Sequence, residues 1–244
     1  MQKKTLTKAA PAKLKEVKRI TSKVTAPKTP IVAKVLNEEQ KEAMRVIFEY
    51  PITVLYGPAG TGKSYVAVRA AMKLVHDRIV ERIVITRPAI STEDIGYLPG
   101  DIAEKIELPY LAPLAHFINT SSHDRELYDK MKTNGTLEFV PIGLMRGRTF
   151  DNSVIVVDES ANLNPHQVKM ILTRIGQNSK MIFTGDSDQC DLPRYKVPVN
   201  GMDALLRLSN HVAHIKEVLL IECVRNPIIT DILTGWEKID LVNA

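Results

Sequence analysis

Cysteine is almost missing from this chain: only Cys190 and Cys223 occur among 244 residues, at a spacing that fits neither a metal-binding repeat nor a disulfide framework. A reduced compartment is expected. His76, His116, His123, His166, His211 and His214 form no H-E-x-x-H or Cys-His pattern, so no zinc site is expected either. Aromatic residues make up 5%, with Trp236 the one tryptophan. That leaves no platform for stacking successive bases and argues against sequence-specific recognition of nucleic acid. No apolar run approaches the ~20 residues needed to cross a bilayer, and the N-terminal lysines precede no apolar core of a signal peptide. A cytoplasmic protein with no membrane partner is the expectation. An Asn-Lys-x-Asp motif is absent, which excludes a GTPase that reads its base that way.

Acidic residues are scarce in one place. Up to Leu36 the chain has ten lysines and arginines against Glu16 alone, a net of +9, which leaves −4 for the rest of a chain whose formal charge is +5. Pro11, Pro27 and Pro30 interrupt any helix there, and few large apolar groups are available to form a core. Residues 1–36 therefore read as a mobile basic arm, suited either to holding polyanions by counterion release or simply to solubility. Residues 37–244 read as one globular domain, with an ordinary 44% hydrophobic content for the whole chain.

Within that domain apolar runs alternate with helical patterns. Asn37 is placed to cap a helix carrying Ala43, Met44, Ile47 and Phe48 on its apolar side. Strands are expected at 52–56, 82–86, 137–142, 153–157, 180–184 and 217–221, with helices over 63–76 and near 165–174, 201–209 and 227–238. This order predicts an α/β fold, a mainly parallel sheet with helices on both faces. Residues 89–136 break the alternation and read as a partly helical insertion.

Directly behind the first strand stands Gly57-Pro58-Ala59-Gly60-Thr61-Gly62-Lys63-Ser64, followed in the helix by Tyr65. Glycines let the backbone curl so that several N–H groups face one point, where the helix N-terminus adds its positive dipole. Such a loop binds the phosphates of a nucleoside triphosphate, with Lys63 reaching the β- and γ-phosphates and Ser64 ligating Mg²⁺. A second landmark is Val154-Ile155-Val156-Val157 running into Asp158 and Glu159. At the end of a buried strand beside the loop, Asp158 can orient Mg²⁺ and Glu159 can act as general base on the attacking water. The third is Thr184-Gly185-Asp186-Ser187-Asp188-Gln189, either ordinary turn chemistry or a loop in which Gln189 senses the γ-phosphate.

The order of Gln40, Gly57–Ser64, Ile85-Thr86-Arg87-Pro88-Ala89, Gly96-Tyr97-Leu98-Pro99-Gly100-Asp101, Met145-Arg146-Gly147-Arg148-Thr149, Asp158-Glu159, Thr173-Arg174-Ile175-Gly176, Thr184-Gly185-Asp186 and Val224-Arg225 resembles the PhoH-like ATPases. That family is similar to the first RecA-like domain of superfamily-1 helicases. The resemblance implies a RecA-like P-loop fold, hydrolysis of ATP with Mg²⁺, RNA or single-stranded nucleic acid as partner, and a bacterial or phage-infected cell as setting. It also implies Gln40 as an adenine-reading residue and Arg87 as a contact to the nucleic-acid backbone; Arg146 and Arg148 are further contact candidates. A regulatory nucleotide switch without strand unwinding is the alternative. The family usually continues Asp-Glu-Ala-Gln-Asn, whereas Ser160-Ala161-Asn162 follow here, so the expected glutamine is missing. Helicases of that superfamily complete the ATP site with an arginine from a second RecA-like domain, and this chain has room for one. A neighbouring copy is therefore expected to supply it, in a ring that family analogy makes hexameric, with Arg225 as first candidate and Arg174 as second.

Overall fold

The computed structural model describes residues 35–88, 118, 126–193 and 197–238. The basic arm up to residue 34, the Gly96–Asp101 motif, His116, His123 and most of the expected insertion lie outside the described residues.

The first helix, α1 (Glu38–Glu49), starts where a cap is available: Asn37 Oδ1 accepts from the Gln40 amide at 2.8 Å, and Gln40 Oε1 accepts in return from the Asn37 amide. This reciprocal box satisfies two amides that would otherwise have no partner. The further helices given in full by the described residues are α2 (Lys63–His76), α3 (Leu127–Thr133), α4 (Pro165–Leu172), α5 (Gly201–Ser209) and α6 (Ile228–Lys238). The strands are β1 (Ile52–Tyr56), β2 (Arg82–Thr86), β3 (Leu137–Phe139), β4 (Ser153–Val157), β5 (Lys180–Gly185) and β6 (Ile215–Leu219).

They form one six-stranded parallel sheet in the order β3-β2-β4-β5-β1-β6. The expectation of a parallel α/β sheet is met. Alternate strand residues point to opposite faces, and each face carries its own core. On one, Leu55, Ile83, Val154, Val156 and Ile182 pack against α1, α2 and α3. On the other, Val54, Val84, Ile155, Val157 and Phe183 pack against α4 and α5, with Phe150 and Leu163 fully buried between them. Strands covered on both sides must be apolar almost throughout, which is why β4 reads as an unbroken β-branched run.

Three strands differ from expectation, β5 only by running one residue further, to Gly185. β3 stops at Phe139, and Ile142 begins a short 3-10 turn. β6 begins two residues early and ends at Leu219, because the amides of Ile221 and Glu222 bond to the Glu39 carboxylate at 2.7 and 3.0 Å instead of continuing a ladder. That bond fastens α1 to the segment after β6, and Asn37 Nδ2 adds a second tie to Glu222 Oε2 at 2.9 Å.

Candidate active site

Three neighbouring strands, β4, β5 and β1, deliver the site, each at its C-terminal end. In an open parallel sheet this is where ligands bind. The loop after β1 turns on glycines that no other residue could replace. Gly57 has φ +134°, and a Cβ there would fall 2.0 Å from the Leu220 carbonyl oxygen. Gly62, φ +85°, stands at the N-cap of α2, where a Cβ would meet Gln40 Nε2 at 2.7 Å. With no side chain capping α2, the first-turn amides remain for an anion. Tyr65, the third residue of α2, packs part-buried against the core.

Lys63 lies along its own loop, its Nζ donating to the carbonyls of Gly57 and Pro58 at 2.7 Å each. Burial pushes its pKa down, and the carboxylates of Asp186, Glu159 and Asp158 oppose that shift. Opposite, Asp158 Oδ1 accepts from Ser64 Oγ at 2.7 Å and from the Thr184 hydroxyl. Sequence reasoning assigned no role to Thr184 or Asp186. Both sit in the Thr184-Gly185-Asp186 stretch, where the change from an apolar strand to hydroxyl and carboxylate was the available signal.

Glu159 follows with φ +54°, a left-handed conformation that a side chain seldom adopts and that marks functional sites when the surroundings enforce it. Burial first, and the adjoining Asp158 charge second, push its pKa above the usual carboxylate range; Arg87 and Lys63 pull the other way. Arg87 reaches Glu159 Oε1 at 3.2 Å and Asp158 Oδ2 at 3.8 Å. It therefore joins the carboxylate pair.

Other expected residues are placed less simply. Gln40, 3% exposed, is spent on the capping box and on a 3.0 Å bond from Nε2 to the Thr61 carbonyl, directly under the loop. Gln189 is exposed in a short turn after β5, with Nε2 donating to Asp186 Oδ2 at 2.7 Å. Arg146 is exposed. Arg148 instead pairs with Glu138 at 2.8 Å and lies over the Phe150 ring, and Arg174 bonds the Met170 and Arg148 carbonyls. Ala161, where the family glutamine was expected, is fully buried in the second core.

Arg225 is the candidate for insertion into a neighbouring copy's site. It lies beside the loop of its own chain: the Val224 amide bonds the Gly60 carbonyl at 3.0 Å, a Cβ on Gly60 would be 3.7 Å from Arg225 Cβ, and its charge further depresses the Lys63 pKa. The tie from Glu39 to Ile221 and Glu222 brings the segment there. This placement gives no support to a hexameric ring.

A glycine loop after β1, a hydroxyl-bound aspartate after β4 and a parallel sheet define an α/β domain of the phosphate-loop class. The chain belongs to the PhoH-like protein family, whose model matches residues 32–237. A PhoH-like protein of Synechocystis sp. is 35% identical over 202 residues, covering 82% of this chain and 60% of the relative. One from Bacillus subtilis is 36% identical over 205 residues, covering 82% and 62%. Protein PhoH of Escherichia coli K12 is 41% identical over 169 residues, covering 68% and 47%. The chain thus spans about three-fifths of the first two relatives' length and about half of the third's. Among solved structures, Pif1 helicase from Candida albicans is similar over 83% of this chain and 44% of that one, at 16% identity and a TM-score of 0.46. Among the described residues no helix is long and apolar enough to cross a membrane.

Proposed function

We propose that this chain is a Mg²⁺-dependent ATPase whose hydrolysis is coupled, in helicase-like fashion, to RNA or single-stranded nucleic acid in a bacterial cytoplasm. The observation that carries the reading is the meeting of Lys63 and Ser64, after β1, with Asp158 and Glu159, after β4, where Thr184 on the intervening β5 holds Asp158. Loop amides and Lys63 hold the triphosphate. Ser64 and Asp158 would hold Mg²⁺; a hydroxyl and a carboxylate suit a hard cation that keeps waters and takes its other ligands from phosphate. The ion supplies neutralisation of charge on the transferring group. Glu159, its basicity raised by burial, takes the proton of the water whose oxygen attacks the γ-phosphorus as the bond to ADP breaks.

Gln40 stands under the loop as the adenine-reading residue, provided that its amide exchanges the Thr61 carbonyl for the base. Gln189 reports on the γ-phosphate through Asp186, which faces Lys63. Arg87 and Arg146 are offered to a nucleic-acid backbone, and the basic residues before Leu36 add salt-dependent hold. The pairing of Arg87 with Glu159 favours low basal turnover, which also suits the second reading, a nucleotide switch without strand movement. Steady-state ATPase assays with and without single-stranded RNA and DNA separate the two. Stimulation supports coupling to nucleic acid, and turnover indifferent to both supports the switch.

A further inference from the structure

We propose that Arg87 restrains Glu159 while no strand is bound, and that a nucleic-acid phosphate draws the guanidinium away, so that strand binding itself releases the general base. This rests on the ATPase reading above and adds to it a means of coupling. Arg87 is the first residue beyond β2, whose neighbour in the sheet is β4, with Thr86 in register with Val157. The Asp158 amide bonds the Thr86 carbonyl at 3.0 Å, so the backbones bearing Arg87 and the carboxylate pair are locked together. Only the side chains are left to rearrange.

The guanidinium spans both carboxylates, at 3.2 Å from Glu159 Oε1 and 3.8 Å from Asp158 Oδ2. A carboxylate oxygen accepting from arginine is occupied, and so is poorly placed to accept a proton from water. The groups around Glu159 are Arg87 and Lys63 on the cationic side and Asp158 and Asp191 on the anionic side. Lys63 is already committed to its own loop, which leaves Arg87 as the exchangeable cation. The pair is partly in water, with 27% of the Arg87 and 35% of the Glu159 side chain exposed. Such a pair is weak enough to be exchanged for another anion, and a planar guanidinium can grip a phosphate through two parallel N–H bonds, against the one hydrogen bond to Glu159 here. Glu159 itself is held at φ +54° by its surroundings, so its carboxylate stays at the site when Arg87 leaves.

The test measures ATP turnover of wild type, Arg87→Gln and Arg87→Lys, with and without a single-stranded oligouridylate, and oligonucleotide binding by anisotropy. For Arg87→Gln we expect kcat without oligonucleotide to rise by about 10-fold, a part of the about 10²–10⁴-fold that a general base contributes, with KM for ATP unchanged and no further response to the strand. Arg87→Lys, a point charge without the fork, should keep part of the restraint and part of the response. A merely structural arginine would instead give lower kcat in Arg87→Gln with the wild-type stimulation ratio retained, and that result overturns the proposal. So does an unchanged basal rate in Arg87→Gln. Wild-type turnover that ignores the strand defeats the nucleic-acid reading and the release step together, whereas strand-stimulated wild type with equally stimulated Arg87→Gln defeats the restraint alone.

Discussion

Thr184→Val is the most informative small change in this site, because it removes one hydrogen bond while preserving side-chain shape. Thr184 is 1% exposed and donates to Asp158 Oδ1, the same oxygen that accepts from Ser64. A hydrogen bond to a charged acceptor contributes about 1.5–3 kcal/mol. Valine leaves no unsatisfied donor behind, and the Asp158 side chain, 22% exposed, can recruit water, so the loss should fall near the low end. With a urea m-value of about 2–3 kcal/mol/M, that loss shifts the denaturation midpoint by about 0.5–1 M. The same freedom lets Asp158 turn from the Mg²⁺ position. If the bond's full value is spent on orientation, kcat/KM for Mg·ATP drops about 10-fold. The assays are urea unfolding and ATP turnover across a Mg²⁺ titration. An unchanged midpoint together with an unchanged Mg²⁺ dependence would refute the claim that Thr184 fixes Asp158.

Burial holds the Glu159 pKa above its unfolded value, so its charge opposes folding; the penalty is absent below the unfolded pKa and grows as pH rises through the folded one. Glu159→Gln should therefore melt higher than wild type at neutral pH, with the gap closing on acidification, as thermal scans across pH would reveal. Gly57→Ala combines φ +134° with a 2.0 Å approach to the Leu220 carbonyl and should cost more than about 3 kcal/mol, read as loss of soluble, cooperatively unfolding protein. If Arg225, which lies beside its own loop, acts there, mixing Arg225→Ala with Lys63→Ala protein should restore no ATPase activity. Recovery in mixed oligomers would return the arginine to a neighbouring copy.

The sheet was legible because double-sided burial forces apolar strands, and β1, β2, β4 and most of β5 show that directly. The loop glycines and the Asp158-Glu159 pair were legible for a similar reason: few residue types satisfy a φ near +85° or bind a hard cation at a strand end. Long-range ties were not. Nothing in local pattern told that Glu39 would take the amides of Ile221 and Glu222, and this bond both ends β6 and delivers Arg225 to the loop. Arg148 looked like Arg146 in sequence, yet only the fold brings Glu138 and Phe150 to it. Thr184 passed as a strand residue because its hydroxyl acquires meaning only once β5 lies between β1 and β4.

The most direct test of the site is one comparison: retention of radiolabelled ATP and its hydrolysis in a single turnover, for wild type and Glu159→Gln with Mg²⁺ present. Both proteins should retain ATP, and Glu159→Gln should hydrolyse it about 10²–10⁴-fold more slowly. Equal hydrolysis by the two would remove Glu159 as the base, and failure of wild type to retain ATP would contradict the account at its root.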